Sequence, residues 1–101
     1  MSLTQPSWTF LTNHSHVLLV VWQSPDVRMR EIAQKVGITE RAVMRIVKEL
    51  TDAGFLTIEK IGRENRYTVA EKLALRHPLE QEHSVGDLLR ALSTDGALTS
   101  V

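Results

Sequence analysis

The chain of 101 residues contains no cysteine. This absence excludes disulfide bridges, thiolate metal sites and thiol redox chemistry. The chain also lacks any apolar run close to the roughly 18 residues of a membrane-spanning helix, because its longest run, from Val17 to Trp22, has six. Its first residues, MSLTQPSW, lack the basic and apolar blocks of a signal peptide. We therefore expect a cytoplasmic protein that makes no contact with a membrane.

Motifs of enzyme active sites are missing as well. The sequence has no glycine-rich phosphate loop, no HExxH, no GxSxG and no cysteine nucleophile. We expect a protein that is not an enzyme and needs no cofactor.

The four histidines raise the question of a metal site. His14 and His16 lie two residues apart, so within a helix they point to different sides and cannot bind one ion together. His77 and His83 have three carboxylates near them in the sequence. We expect surface or helix-cap histidines and no metal site. Whether a metal or a small-molecule effector modulates the protein is not decided by the sequence.

The formal net charge is zero, but the charges are unevenly distributed. Residues 28 to 66 include nine basic and six acidic side chains, which gives +3 and leaves −3 for the rest of the chain. Local charge matters more than the total for attracting a polyanion, because salt screens exposed charges beyond about 10 Å. The central segment is therefore the candidate for contact with nucleic acid.

Hydrophobic periodicity and turn residues predict a mostly helical α+β fold in one domain over residues 1–101. Within it we distinguish an N-terminal segment (1–11), a core with a hairpin (12–69), a C-terminal segment with a helix (70–93) and a frayed tail (94–101). The first predicted helix runs to Gln23 after a cap at Thr12 or Asn13, and the second covers residues 30–36. The third runs to about Ala53 after a cap at Thr39, and a fourth follows a capping box at Ser84. The predicted strands cover residues 27–29, 55–61 and 66–69, with a turn over 62–65.

The second and third predicted helices are joined by a short turn that contains Gly37, which is typical of a helix-turn-helix unit. Ala33 is small where the two helices must approach, and Val43 and Ile46 anchor the third helix to the core. A helical corner needs these residues whether or not it binds DNA. The positions that packing does not need are therefore the informative ones.

Arg41, Arg45 and Lys48 recur at i, i+4 and i+7, so they share one face of the third helix. They can simply keep a surface helix soluble, or they can bind DNA, where arginine is the usual reader of guanine in the major groove. The acidic residues of this helix are placed in its first turn and near its end. We expect them to lie away from the basic face, which favours DNA binding.

The predicted hairpin carries Arg63, Asn65 and Arg66 at or beside its tip. Exposed ion pairs contribute little stability, so arginines at this place are better explained by contact with phosphates or a minor groove. Tyr67 and Val69 alternate with the polar residues and are predicted to point inward.

The run REIAQKVGITERAVMRIVKELTDAGFLTIEKIGRENRYTV, over residues 30–69, resembles the winged helix-turn-helix domain of bacterial and archaeal transcriptional regulators. It is similar to the MarR and ArsR families, in particular to small stand-alone regulators. In these families the helix after the turn enters the major groove and the hairpin forms a wing. The resemblance implies sequence-specific binding of duplex DNA and regulation of transcription, which we expect to be repression by a homodimer. It implies DNA-contacting residues on the third helix (Thr39, Glu40, Arg41, Met44, Arg45 and Lys48) and on the wing (Arg63, Asn65 and Arg66).

The sequence departs from these families in two ways. Typical MarR proteins have longer terminal helices that enclose a small-molecule pocket, and this chain has little material for one. Many ArsR sensors have a cysteine-based metal box, which is absent here. No effector is therefore assigned.

Large apolar residues near both ends need a place to be buried. They pack either on the chain's own core or on a second copy, and we expect the second because two-fold regulators read paired half-sites. The predicted dimer residues are Trp8, Phe10, Leu88, Leu89 and Leu92. The alternative function is a winged helix that docks a protein and binds no DNA, which the zero net charge and the acidic C-terminal part favour.

Overall fold

The computed structural model describes residues 6–93, which form four helices and one hairpin. The elements in chain order are α1 (Asn13–Gln23), α2 (Met29–Val36), α3 (Glu40–Asp52), β1 (Leu56–Ile61), β2 (Glu64–Val69) and α4 (Val85–Leu92). This is the predicted winged helix-turn-helix arrangement, so the fold class is confirmed. The predicted tail and residues 1–5 lie outside the described residues. Among residues 6–93, each helix is too short or too polar to span a lipid bilayer.

Helix α1 is the centre of the domain, because it contacts α2, α3, β2 and α4. Its residues Val17 and Val21 are completely buried, as expected for a helix that is apolar on most sides. The other helices and the hairpin cover it with one apolar face each. The buried apolar core contains Val17, Leu18, Val21, Val27, Ile32, Ala33, Val36, Val43, Ile46, Val47, Leu50, Leu56, Tyr67, Val69, Val85 and Leu89.

The turn between α2 and α3 sets the angle of the third helix. Gly37 has a φ of 87°, which favours glycine, and its N–H and that of Ile38 both donate to the carbonyl of Ala33. Thr39 then caps α3, because its hydroxyl accepts a hydrogen bond from the N–H of Ala42 at 3.0 Å. Backbone geometry and one side-chain cap therefore fix where the exposed face of α3 begins.

The hairpin is tighter than the sequence predicted. β1 pairs antiparallel with β2 from Leu56 opposite Val69 to Ile61 opposite Glu64, which leaves a two-residue turn at Gly62 and Arg63. Gly62 has a φ of 63°, as such turns require. The predicted turn over 62–65 was therefore too long.

The predicted strand over residues 27–29 is wrong. Val27 is buried without strand pairing, and α2 already begins at Met29. The carboxylate of Glu31 accepts a hydrogen bond from the N–H of Arg28 at 3.0 Å, which satisfies a donor at the start of the helix. Near this place the N–H of Tyr67 donates to the carbonyl of Pro25 at 2.9 Å, which ties the wing to the loop before α2.

The segment between β2 and α4 is held by backbone hydrogen bonds. The N–H of Val85 donates to the carbonyl of Leu73, and the N–H of Gly86 donates to that of Glu71. A Cβ on Gly86 would lie 3.0 Å from the Glu71 carbonyl oxygen, a contact tighter than most, so glycine suits this close approach. At the start of α4 the predicted capping box is confirmed, since Ser84 and Asp87 exchange side-chain-to-backbone hydrogen bonds at 3.0 and 3.1 Å.

Candidate nucleic-acid interface

Helix α3 has one buried and one exposed face. Val43, Ile46, Val47 and Leu50 are buried at helical spacing against the core. The side chains predicted to contact DNA are all exposed: Thr39, Glu40, Arg41, Met44, Arg45 and Lys48. The helix therefore presents a continuous polar surface, with Met44 as its apolar member, which is 59% exposed.

The basic face of α3 is partly neutralised by its own helix. Arg45 lies 3.4 Å from the carboxylate of Glu49, and Lys48 lies 2.8 Å from that of Asp52. The prediction that the acidic residues lie away from the basic ones is wrong, because residues four apart share a helix face. The hydrogen bond to Asp52 raises the pKa of Lys48 above its usual value. These exposed pairs contribute little stability, so their cations remain available to a stronger partner.

Glu49 also connects α3 to α1. The ring of His14 lies 2.7 Å from the Glu49 carboxylate, and this hydrogen bond is the main reason why the pKa of Glu49 is lowered. The nearby charge of Arg45 lowers it further. Glu49 is therefore ionised around neutral pH and holds the guanidinium of Arg45 near the end of the helix.

Arg41 differs from the other two cations of α3. Among residues 6–93, no carboxylate lies within 4 Å of its guanidinium. It stands in the first turn of an exposed face, next to the well-ordered cap at Thr39. Arg41 is thus an unpaired cation at the N-terminal end of α3, directly after the turn of the helix-turn-helix unit.

The wing places its three predicted residues at different points. Arg63 lies in the turn and pairs with no carboxylate within the described part of the chain. Asn65 and Arg66 belong to β2, where Asn65 is opposite Lys60 and Arg66 lies 3.7 Å from Asp26. Only Arg63 is at the tip.

A concave surface of about 390 Å³ lies between the wing and the start of α2. Arg28, Arg63 and Asn65 line it, together with the carboxylates of Asp26 and Glu64. Arg28 was not selected from the sequence, although a basic residue directly before the first helix of a helix-turn-helix unit was a usable signal. It adds a second arginine to the surface beside the wing.

The residues predicted to form a dimer fall into two groups. Trp8 is 66% exposed, Phe10 is 92% exposed and Leu92 is 41% exposed, whereas Leu88 is half-buried. Leu89 is completely buried in the chain's own core, so its assignment to a dimer interface is wrong. The reason is helical spacing, because Leu89 lies on the same face of α4 as the buried Val85.

The four histidines have protein partners instead of forming a common site. His14 pairs with Glu49, His16 with Asn13 at 2.9 Å, His77 with the N–H of Leu79 at 3.0 Å, and His83 with Asp87 at 3.7 Å. Across residues 6–93, no three histidine, aspartate or glutamate side chains are grouped so that they could hold a metal ion.

An open cleft of about 720 Å³ lies on another side of the domain, between the start of α1, the end of α3 and α4. Its walls include the apolar side chains of Leu18, Leu50, Phe55, Leu75 and Leu88. The sequence suggested little material for a pocket, so a cleft of this size was not expected.

A helix-turn-helix unit that is followed by a two-stranded hairpin defines a winged helix-turn-helix protein. The family model described as winged helix-turn-helix DNA-binding matches residues 12–57 of the chain. The predicted resemblance to small winged-helix regulators is thereby confirmed. The matched family model describes a DNA-binding domain and not an enzyme.

Known proteins are similar to this chain, and two are described. The uncharacterized protein MJ1254 of Methanocaldococcus jannaschii is 32% identical over 66 residues, which cover 64% of this chain and 14% of that protein. The PcaV transcriptional regulator from Streptomyces coelicolor, solved in complex with its natural ligand, matches 59% of this chain and 45% of its own. The TM-score is 0.52 at 19% identity, so this likeness shows the fold. The chain spans less than half the length of either protein.

Proposed function

We propose that the protein binds duplex DNA sequence-specifically and represses transcription as a homodimer. The proposal rests on one observation: Arg41 is unpaired and lies on the exposed face of α3, the helix that follows the turn. Cations on an exposed helix face often lie beside acids of the same helix, as Arg45 and Lys48 do. A cation left unpaired in the first turn is better placed for an external anion or a base edge.

The exposed residues of α3 have distinct roles in this proposal. Arg41 donates two hydrogen bonds to a guanine, and Glu40 accepts one from a cytosine amino group. Met44 packs on a thymine methyl group, because it is the exposed apolar side chain of the face. The hydroxyl of Thr39 is already used by the helix cap, so Thr39 contributes its methyl group. Arg45 and Lys48 exchange their carboxylate partners for phosphates when DNA approaches.

The wing supplies affinity in this proposal. Arg63 at the tip and Asn65 contact the sugar-phosphate backbone or the minor groove, and Arg28 reaches a phosphate from the other side of the concave surface. Arg66 is the weaker candidate, because Asp26 lies 3.7 Å from it. Phosphate contacts of this kind position a protein on DNA without reading its sequence.

The proposed homodimer explains how a domain with one short recognition helix gains specificity, since two copies read two half-sites about one helical turn apart. Repression follows if the bound dimer blocks access of polymerase to the promoter. A cytoplasmic location agrees with this role and stays a prediction.

The test is selection of a preferred duplex from a random library, followed by fluorescence anisotropy with Arg41→Ala, Arg63→Ala and Lys72→Ala. Lys72→Ala is the matched control, because it removes one exposed charge in the segment between β2 and α4. Arg41→Ala is expected to weaken binding of the selected duplex by roughly 5- to 150-fold and to relax its sequence preference. Arg63→Ala should weaken all duplexes alike. Equal binding by all three variants would overturn the proposal.

A second candidate function is a winged helix that docks a protein and does not bind DNA. The ion pairs of Arg45 and Lys48 favour it, because they reduce the positive charge of α3. The salt dependence of binding separates the two functions. DNA binding falls steeply with salt through counterion release, and protein docking need not.

A further inference from the structure

Two aromatic rings near the start of the described chain are exposed together. Trp8 and Phe10 form an edge-to-face pair with ring centroids 5.0 Å apart, although they are 66% and 92% exposed. Aromatic pairs of this geometry contribute more when they are buried than when they face water. An exposed ring pair therefore marks a surface that gains from being covered.

The cleft between α1, α3 and α4 has the matching character. Its floor is apolar, with Leu18, Leu50 and Phe55 among its lining residues. Its polar lining includes the carboxylates of Glu49 and Glu80. An indole buried there would find acceptors for its N–H, which buried tryptophans usually need.

We propose that two copies of this chain associate by exchanging these features, with the Trp8–Phe10 pair of each copy docked in the cleft of the other. This inference specifies the homodimer of the proposed function and rests on it for its biological role. The contact is isologous, so it closes after two copies.

The rings are not placed to fill the cleft of their own chain. Neither ring lines it, although Thr12, two residues after Phe10, does. The short segment that links the rings to α1 is held by a local hydrogen bond, because the Thr9 hydroxyl donates to the Leu11 carbonyl at 2.6 Å. The Thr12 carbonyl accepts the first hydrogen bonds of α1, from the N–H groups of Ser15 and His16. Folding back would have to break this arrangement, whereas a second copy meets the rings where they are.

The surface involved sets the expected strength. Each aromatic side chain buries roughly 150–250 Å² when fully covered. With the observed exposures, two ring pairs and two clefts lose on the order of 1,000 Å² together, which is the low end for specific interfaces. We therefore expect a dissociation constant in the micromolar range and a measurable monomer population.

The first experiment is sedimentation equilibrium of the full chain without DNA, from low micromolar to near-millimolar concentration. The wild type should pass from monomer to dimer, and Trp8→Ala/Phe10→Ala and Leu88→Glu should each weaken association at least tenfold. The ring variant changes only exposed side chains, so its fold is expected to persist, and circular dichroism checks both variants. A monomeric wild type at the highest concentration, or a ring variant that associates as well as the wild type, would overturn the proposal.

A second experiment uses the absence of cysteine from the chain. Ser7→Cys, beside the rings, and Arg76→Cys, on the cleft, leave rings and apolar floor intact. A mixture of Ser7→Cys and Arg76→Cys chains should form a disulfide between two chains faster than a mixture of Ser7→Cys and Lys72→Cys chains. If a chain that carries both Ser7→Cys and Arg76→Cys instead closes a disulfide within a monomer, the rings occupy their own cleft and the proposal fails. Neither experiment contains DNA, so failure here leaves DNA binding by α3 and the wing to be judged by its own test.

Discussion

The carboxylate of Glu49 pairs with Arg45, so we predict that removing its charge raises the affinity of the proposed interface for DNA. The Glu49 carboxylate lies 3.4 Å from the Arg45 guanidinium and 2.7 Å from the His14 ring. In Glu49→Gln the amide can still accept a hydrogen bond from His14, but it no longer neutralises Arg45. The proposed interface then gains one net positive charge.

The size of the gain follows from counterion release. Each additional phosphate contact steepens the slope of log K against log salt by about 0.9, so one contact is worth roughly threefold between about 50 and 200 mM salt. Loss of the carboxylate's repulsion of the phosphates adds to this gain at low salt. We expect Glu49→Gln to bind several-fold more tightly at low salt and to have the steeper slope.

The assay is fluorescence anisotropy of a labelled duplex at several salt concentrations, with Glu82→Gln as the control. Glu82 is exposed in the segment between β2 and α4, and no basic side chain among residues 6–93 lies within 4 Å of its carboxylate. Both variants change the net charge equally. An equal gain in the two variants, or an unchanged slope for Glu49→Gln, would show that Arg45 is not held back from DNA.

Three further predictions concern the fold that presents this interface. Thr39→Ala removes the cap of α3 and should lower the free energy of unfolding by about 1 kcal/mol in urea denaturation, whereas Thr57→Ala on an exposed strand position should cost clearly less. Leu89→Ala should lower the free energy of unfolding by about 2–5 kcal/mol because Leu89 is buried. Leu92→Ala, on the exposed side of α4, should change it little. Similar losses in the two variants would contradict the burial of Leu89 in the core. The hydrogen bond from the Ser84 N–H, together with Arg90, lowers the pKa of Asp87. The contribution of Asp87 to stability is therefore present above its usual pKa of 3.8 and is lost as the pH falls below that value. Asp87→Asn should flatten the acid limb of a profile of melting temperature against pH, and an unchanged limb would contradict this assignment.

The order of helices and the hairpin could be predicted because local signals and burial agree along most of the chain. Gly37 requires a positive φ, Thr39 caps α3, and Tyr67 and Val69 alternate with exposed residues. The strand predicted over residues 27–29 failed because a short apolar alternation has no strand to pair with there. An apolar pattern indicates that Val27 is buried, but it does not show whether a second strand is present to pair with that segment.

The candidate interface was predictable in its membership and less so in its electrostatics. Helical spacing alone places Arg41 and Lys48 on the exposed face of α3. The same spacing pairs Lys48 with Asp52, which could have been noticed from the sequence. The contact of Glu49 with His14 joins residues 35 apart in the chain, so it depends on how α1 packs on α3 and no local pattern indicates it.

The central claim is that duplex DNA lies on α3 and the wing. Its most direct test is to add a short selected duplex to ¹⁵N-labelled protein and to map the backbone amides whose NMR signals shift. We predict the largest shifts from residue 39 to residue 48, around Arg63 and near Arg28, with small shifts in α4. Shifts concentrated in α4 and the cleft, or none at low salt, would contradict it.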